Sequence, residues 1–342
     1  MKYSGIGGQA VIEGVMMKGK SQYAVSVRKP DGQIEVKVED YKSLKEKYAI
    51  AKLPIIRGIF AFAESLKMGM GTLNYSASFW EEEEEKEKES AKENRKTNDL
   101  WMGLALVAAI IVAIGLFVLL PFFISEKLHK IVPSIQLRGL IEGVIRVALF
   151  VGYVKAISLL EDIRRVFMYH GAEHKCINCI ENGMELTVEN AKKQTMVHKR
   201  CGTSFMLVVM FVSILLFMFI SVPNMWIRMV LRILLIPVIA GLSYEFISLA
   251  GKSENPVVNV LSKPGLWLQA LTTREPDDSM LEVAIASVEA VFDWRDFLAH
   301  YEEEKPEEEG FEVVDVEDEN DEILQALDRY FDEAAPTEEK EQ

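Results

Sequence analysis

Apolar and charged positions separate into long blocks rather than alternating evenly along the chain. Trp101 to Ile124 runs 24 residues without a charge, enough to cross a hydrocarbon core of about 30 Å with some tilt. Three further apolar stretches follow. About Leu140 to Leu160 is interrupted by Glu142, Arg146 and Lys155; Phe205 to about Val222 is uncharged; Trp226 to Ala250 holds Arg228, Arg232, Pro237 and Glu245. The second and fourth would also suit the inside of a soluble bundle. Taken together the pattern predicts a mainly α, polytopic helical membrane protein of about four transmembrane helices with a small cytosolic α+β portion.

The flanking segments have other periods. Tyr23, Val25 and Val27 alternate with Ala24, Ser26 and Arg28, Pro30-Asp31-Gly32 supplies a turn, and Ile34, Val36 and Val38 resume the alternation, which predicts a β-hairpin. Ile55 to Tyr75 is apolar but contains Arg57, Glu64 and Lys67, the pattern of an interfacial amphipathic helix. This divides the chain into a cytosolic segment 1–80, a charged linker 81–100, a membrane region 101–250 with a cytosolic loop 161–204, a cytosolic helical segment 251–300 and a tail 301–342. In the helical segment, Ser279-x-x-Glu282 reads as a capping box ahead of a face of Leu281, Ile285, Val288 and Phe292. No internal repeat is visible.

Charge sharpens this division. The net charge is −14, yet residues 302–342 hold 19 acidic and three basic side chains, so the body is close to neutral. The tail is expected to be disordered, with Ile323, Leu324, Leu327, Tyr330 and Phe331 able to form one short helix on a partner, a basic protein surface by charge. The loop after the second stretch carries Arg164, Arg165, Lys175, Lys192, Lys193, Lys199 and Arg200, which by the positive-inside rule puts both termini and the 161–204 loop in the cytosol of a plasma-membrane protein. The bilayer is the expected environment, and no feature points to specific nucleic-acid binding. Three cysteines without a secretory leader pattern fit a reducing compartment.

One motif is rejected on physical grounds. Gly14 to Ser21 matches G-x-x-x-x-G-K-[ST], but a phosphate-binding loop must open a helix whose free N–H groups face the anion, and here a strand pattern follows. Residues 7–19 are read instead as a glycine-rich segment against the hairpin.

The chemistry concentrates between the second and third apolar stretches, where three of the five histidines and all three cysteines lie. His170 and His174 are one helical turn apart on one face, so two imidazoles can reach one ion. His170-x-x-Glu173-His174 is also the inverted zinc-peptidase pattern, in which the glutamate acts as general base. His198-x-x-Cys201 closes a second chelating turn. The expectation is a divalent metal, zinc by donor type, on His170, His174, His198 and Cys201, with Glu173 catalytic or supporting. A polar packing role and a redox thiol are the competing readings; Cys176 and Cys179 are expected to be bystanders. Among the charges inside the apolar stretches, Glu142 and Arg146 are spaced to pair locally, and Lys155 and Glu245 are expected at equal depth as an ion pair, unless Glu245 is itself a ligand. Arg200 joins them as a further polar candidate.

Gly7 to Met17, Tyr169-His170-Gly171-Ala172-Glu173-His174-Lys175, His198 to Phe205, Tyr244-Glu245 and Pro264-Gly265 through Thr272-Thr273-Arg274-Glu275-Pro276 resemble the YqhQ family, over about residues 4 to 295. The resemblance implies a bacterial multi-pass membrane protein of unknown function, described as metal-dependent, with His170, Glu173, His174, His198 and Cys201 at the matching positions. Metal-assisted hydrolysis is then the preferred expectation. A non-enzymatic adaptor in membrane-protein biogenesis or translocation is the alternative, and transport a third.

Overall fold

A computed structural model describes residues 3–43, 48–87, 95–198, 201–220, 222, 224–250 and 255–303. The N-terminal segment is a four-stranded antiparallel meander: β1 (Gly7–Val11), β2 (Gly14–Lys18), β3 (Gln22–Arg28) and β4 (Ile34–Asp40). β3 and β4 form the expected hairpin, with Val25 opposite Lys37 and Val27 opposite Glu35. The glycine-rich segment does pack against this hairpin, but as two more strands. Gly14 explains why: a Cβ there would come within 2.2 Å of the Ser26 carbonyl oxygen, so the residue that lowers strand propensity is the one that admits β3. No helix follows Gly19 before β3 begins at Gln22, in keeping with the rejection of a phosphate loop.

Helix α1 (Ile56–Glu87) carries the amphipathic segment on through residue 87. Helix α2 (Arg95–Ile114) continues through a π turn at Gly115–Leu119 into α3 (Leu120–Lys127). After it come α4 (Ile135–Ile157), α5 (Glu161–Glu181), a short α6 (Val188–Lys192) and α7 (Gly202–Phe219). The fourth apolar stretch divides at Leu235 into α8 (Met225–Leu234) and α9 (Ile236–Ala250), bent by 46° just before Pro237. Among the described residues, two helices are long and apolar enough to cross a membrane, or up to four if each bent pair is one span. The bend between α4 and α5 is 101°, so α5 leaves the direction of the apolar helices.

The sheet lies between helices. Val15 and Met17 face α5 and α11 (Asp278–Glu289) in a core with Tyr169, Ile177, Ile180 and Leu281, while Val11, Met16, Val25 and Val27 face Met68, Tyr75 and Phe79 of α1. Adjacent β2 residues thus feed opposite layers, as the period of two demands. Leu281 and Val288 are buried as expected, but the cap of α11 is Asp277, whose carboxylate accepts from Met280 N–H at 2.9 Å; Ser279 donates to Asp277 at 2.6 Å. Helix α10 (Pro256–Thr272) lies within the helical segment expected over 251–300. It packs along α7 and α4 instead of joining the segment around α11, and Gly265 allows close approach to Ser204. A final helix, α12 (Trp294–Glu303), precedes the acidic tail; the five apolar tail positions lie outside the described residues, as does Arg200.

Candidate metal centre

α5 presents one polar stripe at helical spacing, the half-buried His170 followed by the buried His174, Asn178 and Glu181. It clasps the loop that leads to α7. His174 Nδ1 donates to the Met196 carbonyl, and Asn178 Nδ2 donates to the carbonyls of Thr195 at 2.7 Å and Val197 at 3.0 Å. From the other side α10 contributes its last carbonyl: Thr272 O, left without an intrahelical donor, accepts from His170 Nδ1 at 2.8 Å. Gly171 makes this crossing possible, since a Cβ there would fall 2.2 Å from Arg274 O.

These contacts fix the imidazoles. A carbonyl oxygen can only accept, so both Nδ1 atoms carry hydrogen, which in the neutral imidazole makes Nε2 the acceptor nitrogen of each ring. His170 Nε2 lies 3.2 Å from Cys201 Sγ, and the ligand atoms of His170, His174 and Cys201 all lie within 4.8 Å of one another. Cys201 is the N-cap of α7, its sulfur accepting from Thr203 N–H at 3.4 Å. Three of the four expected ligands therefore converge. His198 stands in the next layer: its ring is 5.7 Å from that of His174, and its Nε2 is 3.5 Å from Glu181, which also accepts from Ser4 N–H at 2.9 Å and Ser4 Oγ at 2.6 Å.

Glu173 is buried on a different face, where its carboxylate takes the Gly8 backbone N–H. Burial pushes its pKa above the usual carboxylate range, against the opposing pull of His170 and that N–H. Gly8 is needed there, because a Cβ would meet Glu173 Cγ at 2.9 Å. Cys176 and Cys179 sit in the core, and burial raises both thiols, Cys179 to about 11, so neither is a ready thiolate.

Glu245 is engaged by a cation that the depth argument did not consider, Arg57 of α1, with Nε at 2.7 Å, and the Ile55 backbone N–H adds a bond at 3.1 Å. α1 reaches α9 closely because Gly58 and Gly241 meet there, and this contact was invisible when only the apolar stretches were compared for depth. Sequence reasoning also missed Gln269. It is fully buried in α10, accepts from His198 N–H at 2.9 Å, and donates to His198 O and Ser204 Oγ at 2.7 Å each. An amide among Leu266, Trp267, Leu268, Ala270 and Leu271 was the available signal.

The profile described as protein of unknown function (DUF1385) matches residues 53–294. An uncharacterized protein YqhQ of Bacillus subtilis (strain 168) is 37% identical over 286 residues, covering 82% of this chain and 90% of the relative. The chain belongs to the YqhQ family. Its function as a family is unknown, and no solved structure matches. The matched span, residues 53–294, includes α5, residues 196–198, Cys201 and the end of α10, so the three converging side chains lie inside the family region.

Proposed function

We propose that His170, His174 and Cys201 hold a divalent metal, zinc by donor set, at the cytosolic face of a plasma-membrane protein. The observation that carries this is the convergence of a thiol and two imidazoles whose Nδ1 hydrogens are already committed to backbone carbonyls. Second-sphere bonds of this kind orient metal-binding histidines and raise their basicity. Two nitrogens and one sulfur suit zinc, and three protein donors match a site with one position left for water or substrate. When bound, the ion would supply Lewis acidity for hydrolysis. The chain's own part is then to hold the donors, to keep the site at the start of the apolar helix α7, and to offer Glu173, a buried carboxyl of raised pKa beside His170, for proton exchange.

Membrane insertion belongs to the same reading. The apolar helices cross the bilayer, the basic 161–204 loop stays in the cytosol with both termini, and the acidic tail is held off anionic lipid and available to a basic partner.

The test uses full-length protein purified from membranes, with metal analysis and a cobalt titration after chelation. One ion per chain is expected, with a sulfur-to-cobalt charge-transfer band that Cys201→Ser removes and His198→Asn retains. Metal-free protein with no cobalt band would sink the proposal. A fourth protein ligand seen by absorption spectroscopy would turn the site into a structural one and favour the adaptor role over hydrolysis.

A further inference from the structure

A second cluster lies at the other end of the apolar helices from the histidines. Arg138 and Arg146 come from the first half of α4, Arg228 and Arg232 from α8, and all four are buried. Among the described residues, only Glu126 and Glu142 offset them within the cluster. Arg146 Nη2 bonds Glu142 Oε1 at 2.8 Å, as the sequence spacing suggested, and Arg232 reaches the same oxygen. Arg146 is fully engaged: Nη1 donates to Ser213 Oγ at 2.8 Å and Nε to Phe117 O at 2.9 Å, a carbonyl of the π turn. Arg228 Nη2 bonds Glu126 Oε2 at 2.8 Å, whereas Arg138 Nη1 stands 3.8 Å from that oxygen, beyond hydrogen-bond reach.

The account does not balance. Guanidinium groups keep their charge, so with both glutamates counted as carboxylates the six groups sum to a net positive charge of two. Four buried N–H-bearing nitrogens have no acceptor among the described residues: Nε and Nη1 of Arg138, and Nε of Arg228 and Arg232. Phe122 and Phe217 flank the Arg232 guanidinium, with ring centroids at 4.7 and 4.8 Å, and restrict its rotation toward other acceptors. Arg138, Arg228 and Arg232 line a narrow cleft with Glu126, Glu142, Phe122 and Phe217; its free space is about 10 Å³, that of one water, so a larger anion enters only as the arginine side chains part around it. Buried polar groups in folded proteins are paired, and a buried excess charge calls for a counter-ion.

We propose that this cleft binds a phosphate group, either as a free anion or as the head of an anionic phospholipid. Forked guanidinium donors match the oxygens of a phosphate two at a time; a charge of −2 cancels the excess and a phosphodiester of charge −1 halves it. The protein already supplies its carboxylates there, and still leaves the four donors. The cleft is formed by the ends of helices that also carry the lipid-length apolar surface, so a lipid head and a soluble phosphate can both arrive.

The experiment measures thermal unfolding and native mass spectra of full-length protein, delipidated in a maltoside detergent, with two separate probes. One is inorganic phosphate; the other is mixed micelles containing phosphatidylglycerol, with phosphatidylcholine micelles for comparison. A saturable rise in unfolding temperature is expected with at least one probe, accompanied by a retained adduct, and Arg138→Gln weakens it by about tenfold or more. A response to phosphate alone assigns a free anion; a response to phosphatidylglycerol alone assigns a lipid head. Arg138→Lys keeps the charge, loses the fork and is expected to weaken binding while folding normally. No response of the wild type to either probe, or unchanged affinity in both Arg138 variants, overturns the proposal.

Discussion

Replacing Gly171 by Ala separates two effects that usually act together. Alanine is the better helix former by about 1 kcal/mol, and α5 is a regular helix at this point, so propensity alone makes Gly171→Ala stabilising. Packing opposes it. The new Cβ would lie 2.2 Å from Arg274 O and 3.0 Å from Met196 Sδ. The thioether can rotate away, but the carbonyl belongs to a backbone segment and must retreat by about 1 Å to reach ordinary contact. That segment is tied to α5 by Arg274 N–H to Phe167 O at 2.9 Å and by His170 Nδ1 to Thr272 O at 2.8 Å. Two hydrogen bonds at about 1 kcal/mol each, and overpacking of about 1–3 kcal/mol, outweigh the propensity gain and leave a net loss of about 2–4 kcal/mol.

The assay is the unfolding midpoint in micelles of rising SDS fraction, with a cobalt titration on the same preparation. Loss of the His170 tether is expected to reduce metal affinity by about 10–100-fold as well. Gly152→Ala is the comparison, because a Cβ at Gly152 meets none of the described residues within 4 Å and its effect should stay within about 1 kcal/mol. A Gly171→Ala protein as stable as the wild type, or more so, would refute the claim that α10 crosses α5 at van der Waals contact.

Arg57→Met should lower stability by about 1–2 kcal/mol, since it takes a bidentate partner from the partly buried Glu245; an unchanged unfolding midpoint would show the pair to be dispensable. Asp277→Ala should cost about 1 kcal/mol at neutral pH, and Ser279→Ala less. Burial raises the Asp277 carboxyl, but bonds from Ser279 and Met280 and the charge of Arg165 outweigh it, so its pKa lies below the ordinary 3.8. The cap therefore stabilises above that value and fades as pH falls through the folded pKa, so wild type and Asp277→Ala should converge in acid denaturation; a constant gap down to full protonation would exclude a charged cap. Gln269→Leu removes the side-chain acceptor of the buried His198 N–H and one of the donors to its C=O, and should cost about 1–3 kcal/mol while loosening Cys201, read as a weaker cobalt charge-transfer band; an unchanged midpoint would show the amide to be dispensable.

The sequence was most legible where one period or one spacing carried the information. Alternation gave the β3–β4 hairpin, the uncharged runs gave α2, α3 and α7, and the four-residue spacing gave both the His170–His174 pair and the Glu142–Arg146 pair. It was least legible where a residue with poor local propensity is chosen for a tertiary reason. Gly8 and Gly14 disguised β1 and β2, because each makes room for a neighbour, Glu173 or β3, that lies elsewhere in the chain. α10 falls in the helical segment expected over 251–300; Pro256 does not oppose it, being at the first helical turn, where its missing N–H costs nothing.

The two polar sites show why the histidine motif was readable and the arginine cluster was not. His170, His174 and Cys201 need only one helix and the start of the next, and their residue types are themselves suggestive of a ligand set. The arginines come from two helices separated by nearly 70 residues of other structure, and each charge taken alone has an innocent reading as a residue snorkelling toward water. What distinguishes them is a collective property: burial of all four, two carboxylates between them, and donors left over. α7 joins the two sites physically. Cys201 caps its first turn, while Ser213 and Phe217 in its last two turns contact Arg146 and Arg232, so its length, about 27 Å at 1.5 Å per residue, separates the His/Cys cluster from the arginine cluster. A helix that touches both clusters and packs against α4, α9 and α10 along its length has little freedom to slide. Ligands at the two sites are therefore expected to raise stability independently and additively, and a cobalt affinity that changes with phosphate would show instead that α7 moves as a unit between them.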